Sequence, residues 1–557
     1  MLLTSTILFM QLLGVNPPAD GKMVKEAHKQ QAKFESFRRM NLPRDYRGGT
    51  RDRCDQMIGR YCYWYDAAES LVGIEADEIK EAREKLLRYL DAAAVSSPTD
   101  SWVAGQRIRY LIEAQRPEVA RHVAQTCRAE HWWCAALEGL SLHVMQQYVE
   151  SDSVFAMALL EMPSQQRCEW LDLRLVVGSR LEKEIKKAGC DERAKLAERL
   201  WMLSQPLWAK RGNDLRTEHF ARQTMSMIMS KSANTQGLAF SHDSRELLLR
   251  YGWPEWYTRH ETTGNGAYTY STTVITGHDR EPSYSFFPDI SSLNSVPRLT
   301  PESWIVRLPP GRSRYAPKYL RGLTTPDHQL VRFPRGDSMR VAVAYMLDDS
   351  DLLSDDAVKS YFFAFQDGAL QPSAPQKGVG PLWATIASDT TIVSIEILGE
   401  LSQHAARARY TVDPLPRVDK ATLSDLLLYD PTGTPDGSDV SLLITKATTT
   451  TQLPSSRPLG VYWELESPPN PGPAWFSLTV EPMKAGFMKR LARRLHLADE
   501  PSPVRLRWQG VIQKPLEMQS VTLRLPENAS GKYRVLLTIE PSNGPPISSG
   551  RDIELQR

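Results

Sequence analysis

The fold is decided by the stretch Leu207–Trp256, which reads LWAKRGNDLRTEHFARQTMSMIMSKSANTQGLAFSHDSRELLLRYGWPEW. Aromatic, charged and glycine residues are dense here. The chain before this stretch has the hydrophobic period of helices, and the chain after it has the alternation of strands. The sequence therefore predicts a multidomain protein, α then β, with a small α/β central module at residues 205–262.

The central stretch contains one predicted helix and one predicted strand. Thr217–Ser230 is amphipathic, and Glu218 and Arg222 lie four residues apart, so they share one helix face. Ser244–Tyr251 is predicted as a short buried strand. The chain turns after it, because glycine and proline follow. The predicted turn consists of Tyr251, Gly252, Trp253 and Pro254.

Charged residues of this stretch predict a buried network that fixes the shape of the module. A catalytic interpretation would make His219, His242 or Asp243 an acid–base pair. The chain has no G-x-S-x-G, no H-E-x-x-H and no phosphate-binding loop, so we assign no catalytic residue. The predicted structural ion-pair network consists of Glu218, Arg222, Asp243 and Arg245.

Residues 21–204 are predicted to form an α-helical domain built from repeats. Helices at about 101–114 and 117–128 recur as helices at about 131–148 and 152–162, with a period of 34 residues. The second pair resembles a tetratricopeptide repeat, and such arrays present a concave binding face. The residues that match its small, aromatic, small and proline positions are Gly139, Phe155, Ala158 and Pro163. Further helices are predicted at 75–93, 167–188 and 191–205, and residues 22–53 as a mobile leader or a marginal helix.

The six cysteines fall into three local pairs, which favour disulfides formed in an oxidising compartment. The pairs are Cys54 with Cys62, Cys127 with Cys134, and Cys168 with Cys190. Two alternatives remain open for the middle pair. On one continuous helix, Cys127, His131 and Cys134 would share a face that holds a soft metal, and free buried thiols are the other alternative.

Composition excludes a nucleic-acid footprint, because 68 basic residues are balanced by 66 acidic residues. Residues 1–20 are a probable signal segment, since a short apolar run precedes a proline- and glycine-containing break. No later apolar run reaches the roughly 18 residues that a membrane-spanning helix needs.

The part after the central module is predicted to be β-rich. Residues 263–327 are predicted as a strand and a long connector, 328–431 as a β-sandwich, and 440–557 as a second Ig-like β-sandwich domain. A basic amphipathic helix is predicted near 483–497. It is expected to pack on a sheet edge, and the alternative is contact with an anionic membrane surface or a partner.

The central stretch resembles the GWxTD domain of bacterial, exported proteins. The matching residues, in order, are Leu207, Trp208, Arg211, Glu218, His219, Arg222, Gly237, Asp243, Arg245 and the turn 251–254. At the place of the Gly-Trp-x-Thr-Asp block this chain has Gly237-Leu-Ala-Phe-Ser-His-Asp243. The chain is therefore a divergent relative, and the resemblance implies an architecture rather than a reaction.

Together these features predict an exported, non-catalytic interaction or scaffold protein. The expected location is the periplasm or outer envelope of a Gram-negative-type bacterium, with other envelope proteins as partners. No cofactor, metal or nucleic acid is expected. Membrane contact is expected only through the signal segment or the basic helix 483–497. The alternative function is an enzyme or binding module for envelope glycan or peptidoglycan, with Glu218 or Asp243 in a cleft lined by Trp253 and Trp256.

Overall fold

The structure is a computed structural model that describes most of the chain. The described residues are 20–44, 56–59, 61–63, 75–263, 271–278, 284–288, 298–304, 312–347, 357–366, 368–373, 375–435, 437–466, 472–483, 503–525, 529–542 and 544–556. The signal segment (up to residue 19), Cys54 and the basic helix after Met483 lie outside them. The chain divides into two compact units, one of residues 1–294 with 302–318 and one of residues 295–301 with 319–557.

Unit 1 contains the helical array. Its helices are α1 (Asp20–Asn41), α2 (Asp77–Ser96), α3 (Ser101–Glu113), α4 (Pro117–Gln125), α5 (His131–Val144), α6 (Tyr148–Glu161), α7 (Ser164–Trp170), α8 (Ser179–Lys187), α9 (Cys190–Ser204), α10 (Asp214–Ser230) and α11 (His242–Tyr251). Its strands form the hairpins β1 (Gln56–Ile58) with β2 (Tyr61–Tyr63), and β3 (Trp256–Thr263) with β4 (Ser271–His278).

The predicted helical N-terminal part is confirmed, and the packing behind the repeat is visible. A Cβ on Gly139 would lie 2.9 Å from the ring of Phe155, so only glycine lets α5 and α6 approach this closely. Phe155 and Ala158 are fully buried. The small residues therefore let α5 and α6 approach each other, and the ring of Phe155 fills the space between them.

One helix prediction needs correction. The helix predicted at 167–188 is interrupted, because α7 ends at Trp170 and α8 begins only at Ser179. Of the two alternatives for residues 22–53, a mobile leader or a marginal helix, the structure has a helix, α1, at residues 20–41. The helix is held because Ala27 and Phe34 belong to the core of the array.

The strand predicted at Ser244–Tyr251 is wrong, since residues 242–251 form helix α11. Ser241 caps this helix: its hydroxyl accepts from the Ser244 backbone N–H, and the Ser244 hydroxyl reaches back to the Ser241 N–H. Glu246 and Arg250, four residues apart, pair at 3.0 Å on one side of the helix. Local capping and ion pairing thus override the apolar run that suggested a strand.

Unit 2 is β-rich, as predicted, and contains several sheets. Its longer strands are β6 (Asp327–Arg335), β7 (Ser338–Met346), β8 (Val358–Gln366), β11 (Leu382–Ala387), β12 (Thr391–Gly399), β13 (His404–Val412), β18 (Pro458–Glu466), β19 (Gly472–Pro482), β20 (Val504–Ile512), β21 (Leu516–Arg524), β22 (Gly531–Pro541) and β23 (Ile547–Gln556). The short strands are β5 (Gly322–Thr324), β9 (Ala369–Pro372), β10 (Gln376–Lys377), β14 (Arg417–Val418), β15 (Ala421–Leu423), β16 (Leu427–Tyr429) and β17 (Gln452–Pro454).

The sheets of unit 2 pack in pairs, as in β-sandwiches. In the first pair, the sheet β10-β8-β12-β13-β5 and the sheet β11-β7-β6 enclose one core that includes Val341 and Ile395. In the second pair, the sheet of β14, β15, β16, β18 and β21 and the sheet β17-β23-β22-β19-β20 enclose another core around Trp463 and Leu537. Sheet β11-β7-β6 is buried on both faces, because Phe333 on its other face packs against Tyr462.

Candidate functional site

Helix α10 lies against the face of the array that α3 and α5 form. The side-chain amide of Gln106 on α3 donates to the Ile228 carbonyl of α10 at 2.8 Å. Gly105 on α3 leaves room for Ile228, since an added Cβ would lie 3.1 Å from it. Nearly every side chain of α10 is buried. The face of the array that α3 and α5 form is therefore covered by the chain's own helix at these positions.

Glu218 lies at the centre of this contact and is held from two sides. Arg222 Nε donates to Glu218 Oε1 at 2.5 Å, and His143 Nε2 on α5 lies 2.6 Å from Glu218 Oε2. Arg222 also donates to the carbonyls of Leu249 at 3.2 Å and Arg314 at 2.6 Å. Burial raises the pKa of Glu218, but the Arg222 charge and the His143 hydrogen bond outweigh it and bring the pKa to about 2. Glu218 is thus a fixed anion.

His219 faces the aromatic core rather than solvent. Its Nε2 lies 3.3 Å from the Trp170 carbonyl, and its ring packs against Trp201 with centroids 5.1 Å apart. Burial lowers the pKa of His219 to about 4, and the Trp170 carbonyl only partly opposes this. His219 is therefore a neutral, buried imidazole at physiological pH.

The predicted four-residue network is only half assembled. Glu218 and Arg222 pair as the spacing predicts, whereas Asp243 and Arg245 lie on α11 and join other groups. Arg245 Nη2 donates to the Gln223 side chain at 3.4 Å. Within the described residues, Asp243 forms no ion pair with Arg222 or Arg245. Its carboxylate instead lies against Gly59 of the β1–β2 turn, where an added Cβ would be 1.9 Å from Asp243 Oδ2.

Asp243 lines an open cleft of about 650 Å³. The cleft residues are Met57, Ile58, Gly59, Gly178, Ser179, Asp243, Glu246, Arg250 and Arg312. Arg250 pairs with Glu246 at 3.0 Å, and Arg312 pairs with Glu182 at 2.7 Å. Trp253 and Trp256, which we expected in this cleft, do not line it. Trp253 packs on the helical core instead.

The predicted turn after the central stretch is present. Helix α11 ends at Tyr251, and Gly252 takes a φ of +86°, a conformation that glycine adopts without strain. The Gly252 backbone N–H donates to the Leu248 carbonyl at 2.8 Å. Strand β3 then begins at Trp256, so the turn redirects the chain from the helices into the first long hairpin.

Two of the three predicted cysteine pairs are disulfides. Cys127–Cys134 links α4 to α5, and Cys168–Cys190 links α7 to α9, with Cα atoms 5.7 and 5.5 Å apart. The metal alternative for Cys127, His131 and Cys134 is wrong, because the helix breaks between residues 125 and 131 and both thiols are oxidised. No cluster suited to a metal occurs in the described parts of the chain. Cys62 lies in strand β2, and its proposed partner is outside the described residues.

A second buried charge network was not predicted from the sequence. Glu35 on α1 accepts from Arg109 Nη2 and from the Tyr110 hydroxyl, both at 2.7 Å. Arg109 and Arg38 also reach Glu113, at 3.0 and 2.8 Å. Glu35 and Arg38 are 74 or 75 residues from these partners in sequence, so only i,i+4 contacts such as that of Arg109 with Glu113 carry a local signal. The network fixes α1 on the array.

The outer face of α6 carries an apolar stripe, defined here as Val149, Ala156, Met157 and Leu160. All four side chains are exposed, Leu160 by 76%, Met157 by 47% and Val149 by 40%. The opposite face of the same helix is buried through Phe155. Helix α6 therefore exposes apolar side chains around Ser153 in addition to its buried apolar face, which is unusual for a helix with one face in solvent.

No protein-family model and no curated protein matches the chain. Among solved structures, the chain is similar to a crystal structure of chicken CNTN1 FN1–FN3 domains. The two are 11% identical, the alignment covers 42% of this chain and 67% of that chain, and the TM-score is 0.12. Similarity at this level supports no inference about function. None of the described helices combines the length and apolarity needed to cross a membrane.

Proposed function

We propose that this protein is an exported, non-catalytic interaction protein of the bacterial cell envelope, a divergent relative of GWxTD-domain proteins with Ig-like β-sandwich domains. One observation carries the proposal: the chain's own α10 covers the face of the array that α3 and α5 form, while the outer face of α6 exposes the apolar stripe. A partner then docks on the outer face. The two disulfides support an oxidising compartment, because such bonds persist outside the reducing cytosol.

The buried acid and base groups support a structural role for the central stretch. Glu218 is enclosed by Arg222 and His143, and His219 is enclosed by aromatic rings. A general acid or base must reach the proton it transfers, directly or through one water. Glu218 and His219 are enclosed on all the sides described, so they hold helices together and do not transfer protons to a substrate.

Site-specific photo-crosslinking in cells of the source bacterium tests the docking face. A photoreactive amino acid at Met157 is expected to capture an envelope protein. The same amino acid at His122 is the control, because residue 122 is exposed on α4 and precedes Ala156 by one repeat. Equal capture at both positions, or none at Met157, would contradict the proposed docking face.

Export is tested separately by cell fractionation and N-terminal sequencing. We expect the protein in the envelope fraction, cleaved near residue 20, with the thiols of Cys127 and Cys168 blocked to alkylation until reduction. Recovery of an intact Met1 in the cytosol with freely alkylated thiols would refute the assignment of compartment. This outcome would leave the docking face to be judged by crosslinking alone.

The cleft around Asp243 favours one alternative, a binding or catalytic site for envelope glycan. Asp243 and Glu246 lie three residues apart on the first turns of α11 and line the same cleft. Incubation with peptidoglycan fragments decides between the two functions. We expect no released product and no binding by calorimetry. Turnover that Asp243→Asn abolishes and Ser179→Ala preserves would establish the alternative.

A further inference from the structure

We infer that the apolar stripe of α6 binds a basic amphipathic helix of a partner protein. This inference rests on the proposed docking face and adds the chemistry of the partner. The 34-residue repeat allows α6 to be compared with α4 of the preceding repeat. One period of 34 residues earlier, helix α4 has His122 where α6 has Ala156, and Thr126 stands where α6 has Leu160. The preceding repeat thus has polar residues where α6 has Ala156 and Leu160, and Val123 where α6 has Met157, so the fold does not require an apolar residue at positions 156 and 160.

The stripe has the dimensions of a helix-binding ridge. From Val149 to Leu160 it covers twelve residues, or about 16 Å along three turns. At roughly 100° per residue, Val149, Ala156, Met157 and Leu160 fall within one sector of the helix, which also contains the exposed Ser153. An amphipathic helix repeats apolar side chains at i, i+3, i+4 and i+7, and three turns of it continue this pattern to i+11 over about the same length. The ridge and such a helix match in length and in chemistry.

The charges of α6 select the sign of the partner. The helix has three acidic residues, Glu150, Asp152 and Glu161, and neither lysine nor arginine. Asp152 pairs with Arg216 of α10 at 2.6 Å, while Glu161 contacts the exposed His131. Within the described residues, Glu150 forms no ion pair. On a helical wheel Glu150 and Glu161 border the same side of the stripe, about three turns apart. Lysine or arginine residues at that spacing complement both carboxylates.

The same charges disfavour two other occupants. An anionic lipid surface attracts basic helices, and it would repel α6, which has three acidic residues and neither lysine nor arginine. Nucleic acid is disfavoured for the same reason, because its binding depends on basic side chains that neutralise phosphates. A protein helix with one apolar face and one basic edge remains as the occupant.

Fluorescence anisotropy with the full-length protein and three designed peptides tests this inference. The first peptide is an amphipathic helix with a leucine face and lysines elsewhere. The second keeps the leucines and replaces every lysine by glutamate. The third has the composition of the first in an order without an apolar face. We expect saturable binding of the first peptide, at least tenfold tighter than that of the other two, with affinity falling as salt rises.

Two protein variants and one control identify the surface. Met157→Ser combined with Leu160→Thr is expected to weaken binding at least tenfold, since it removes two exposed apolar side chains and places at position 160 the threonine of the preceding repeat. Glu150→Gln combined with Glu161→Gln is expected to weaken it several-fold and to reduce its salt dependence. Val119→Thr on α4, which removes an exposed valine outside the stripe, is expected to leave binding unchanged.

The outcomes separate this inference from the proposed docking face. In one outcome the glutamate peptide binds as well as the lysine peptide, and neither peptide binds to the Met157/Leu160 variant. In that case the stripe is a docking face but its partner is not basic. If the lysine peptide binds equally to wild type and the stripe variant, or does not bind, the inference is refuted. Binding to anionic vesicles that the stripe variant abolishes would also refute it and would identify a membrane surface as the occupant. If a photoreactive amino acid at Met157 captures no protein in cells, the docking face itself is contradicted as well.

Discussion

Glu218 shows how a single buried charge ties distant helices together. The i,i+4 spacing predicts its contact with Arg222, and the structure confirms that contact at 2.5 Å. His143 comes from α5, 75 residues earlier, and nothing in the local sequence connects it to Glu218. The carbonyls of Leu249 and Arg314 complete the surroundings of Arg222. The stability of α10 on the array therefore depends on groups from four segments of the chain.

The substitution Glu218→Gln is expected to destabilise unit 1 strongly. It leaves the Arg222 cation buried without its carboxylate, and removing one partner of a buried ion pair costs about 3–5 kcal/mol. Denaturant unfolding followed by the fluorescence of unit 1 tryptophans measures the loss. Glu198→Gln, at an exposed position on α9, is the matched control and is expected to change stability by less than about 0.5 kcal/mol. Equal effects of the two substitutions would contradict the buried role of Glu218.

The free energy of unfolding is expected to decrease as pH falls, over a pH range set by the pKa of His219. The pKa is 6.5 in the unfolded chain and about 4 in the folded protein, so the unfolded state takes up the proton first as pH falls. The folded state loses about 2 kcal/mol of relative stability between pH 7.5 and pH 5. Glu218, whose pKa falls from 4.5 to about 2, adds a further loss only below pH 4.5.

The difference between wild type and His219→Gln isolates this effect. The free energy of unfolding of the variant is expected to depend less on pH between 7.5 and 5, because glutamine does not titrate. Parallel pH profiles for the two proteins would show that His219 does not have the lowered pKa.

At the scale of elements, the helix pair α5–α6 depends on the close approach at Gly139. Gly139→Ala is expected to cost about 1–3 kcal/mol, because the added methyl group meets the ring of Phe155. Gly189→Ala, where no atom lies within 4 Å, is the control. Combining Gly139→Ala with Phe155→Leu is expected to cost less than the sum of the two single substitutions. Strict additivity in this double-mutant cycle would contradict the contact.

The two disulfides are expected to contribute unequally. Cys168–Cys190 spans 22 residues and Cys127–Cys134 spans 7. Loss of loop-closure entropy gives about 3 kcal/mol for the longer loop and about 2 kcal/mol for the shorter one. Double cysteine-to-serine variants of each pair, compared by denaturant unfolding, measure both values. A larger loss for the Cys127–Cys134 variant would contradict this order.

The elements also show where local reasoning succeeds and where it fails. Repeat period and apolar spacing predicted the helices α3 to α6 closely, because their core positions recur every three to four residues. The same reasoning misread α11. Ser244–Tyr251 is predicted as a short buried strand, whereas the Ser241–Ser244 cap and the Glu246–Arg250 pair select a helix. Polar contacts at helix ends decided that element.

At the scale of the whole molecule, each of the two compact units has a core of its own. Calorimetry is therefore expected to show two unfolding transitions. Glu218→Gln is expected to lower only the transition of unit 1. Leu537→Ala creates a cavity at a fully buried site in the second sheet pair. It is expected to lower only the transition temperature of unit 2 and to reduce the free energy of unfolding of that unit by about 2–5 kcal/mol. A single transition shifted equally by both substitutions would contradict two independent cores.

The sequence by itself determined that a helical part precedes a β-rich part, the positions of α3 to α6, two cysteine pairs and the Glu218–Arg222 contact. Each depends on spacing along the chain. Tertiary structure alone decided that α10 covers the face formed by α3 and α5, that His143 reaches Glu218, and that Asp243 faces the Gly59 turn. These contacts join residues far apart in sequence, which periodicity does not encode. The central stretch is thus a structural core, and the exposed chemistry of unit 1 lies on α6, a helix whose outer face no local pattern had distinguished.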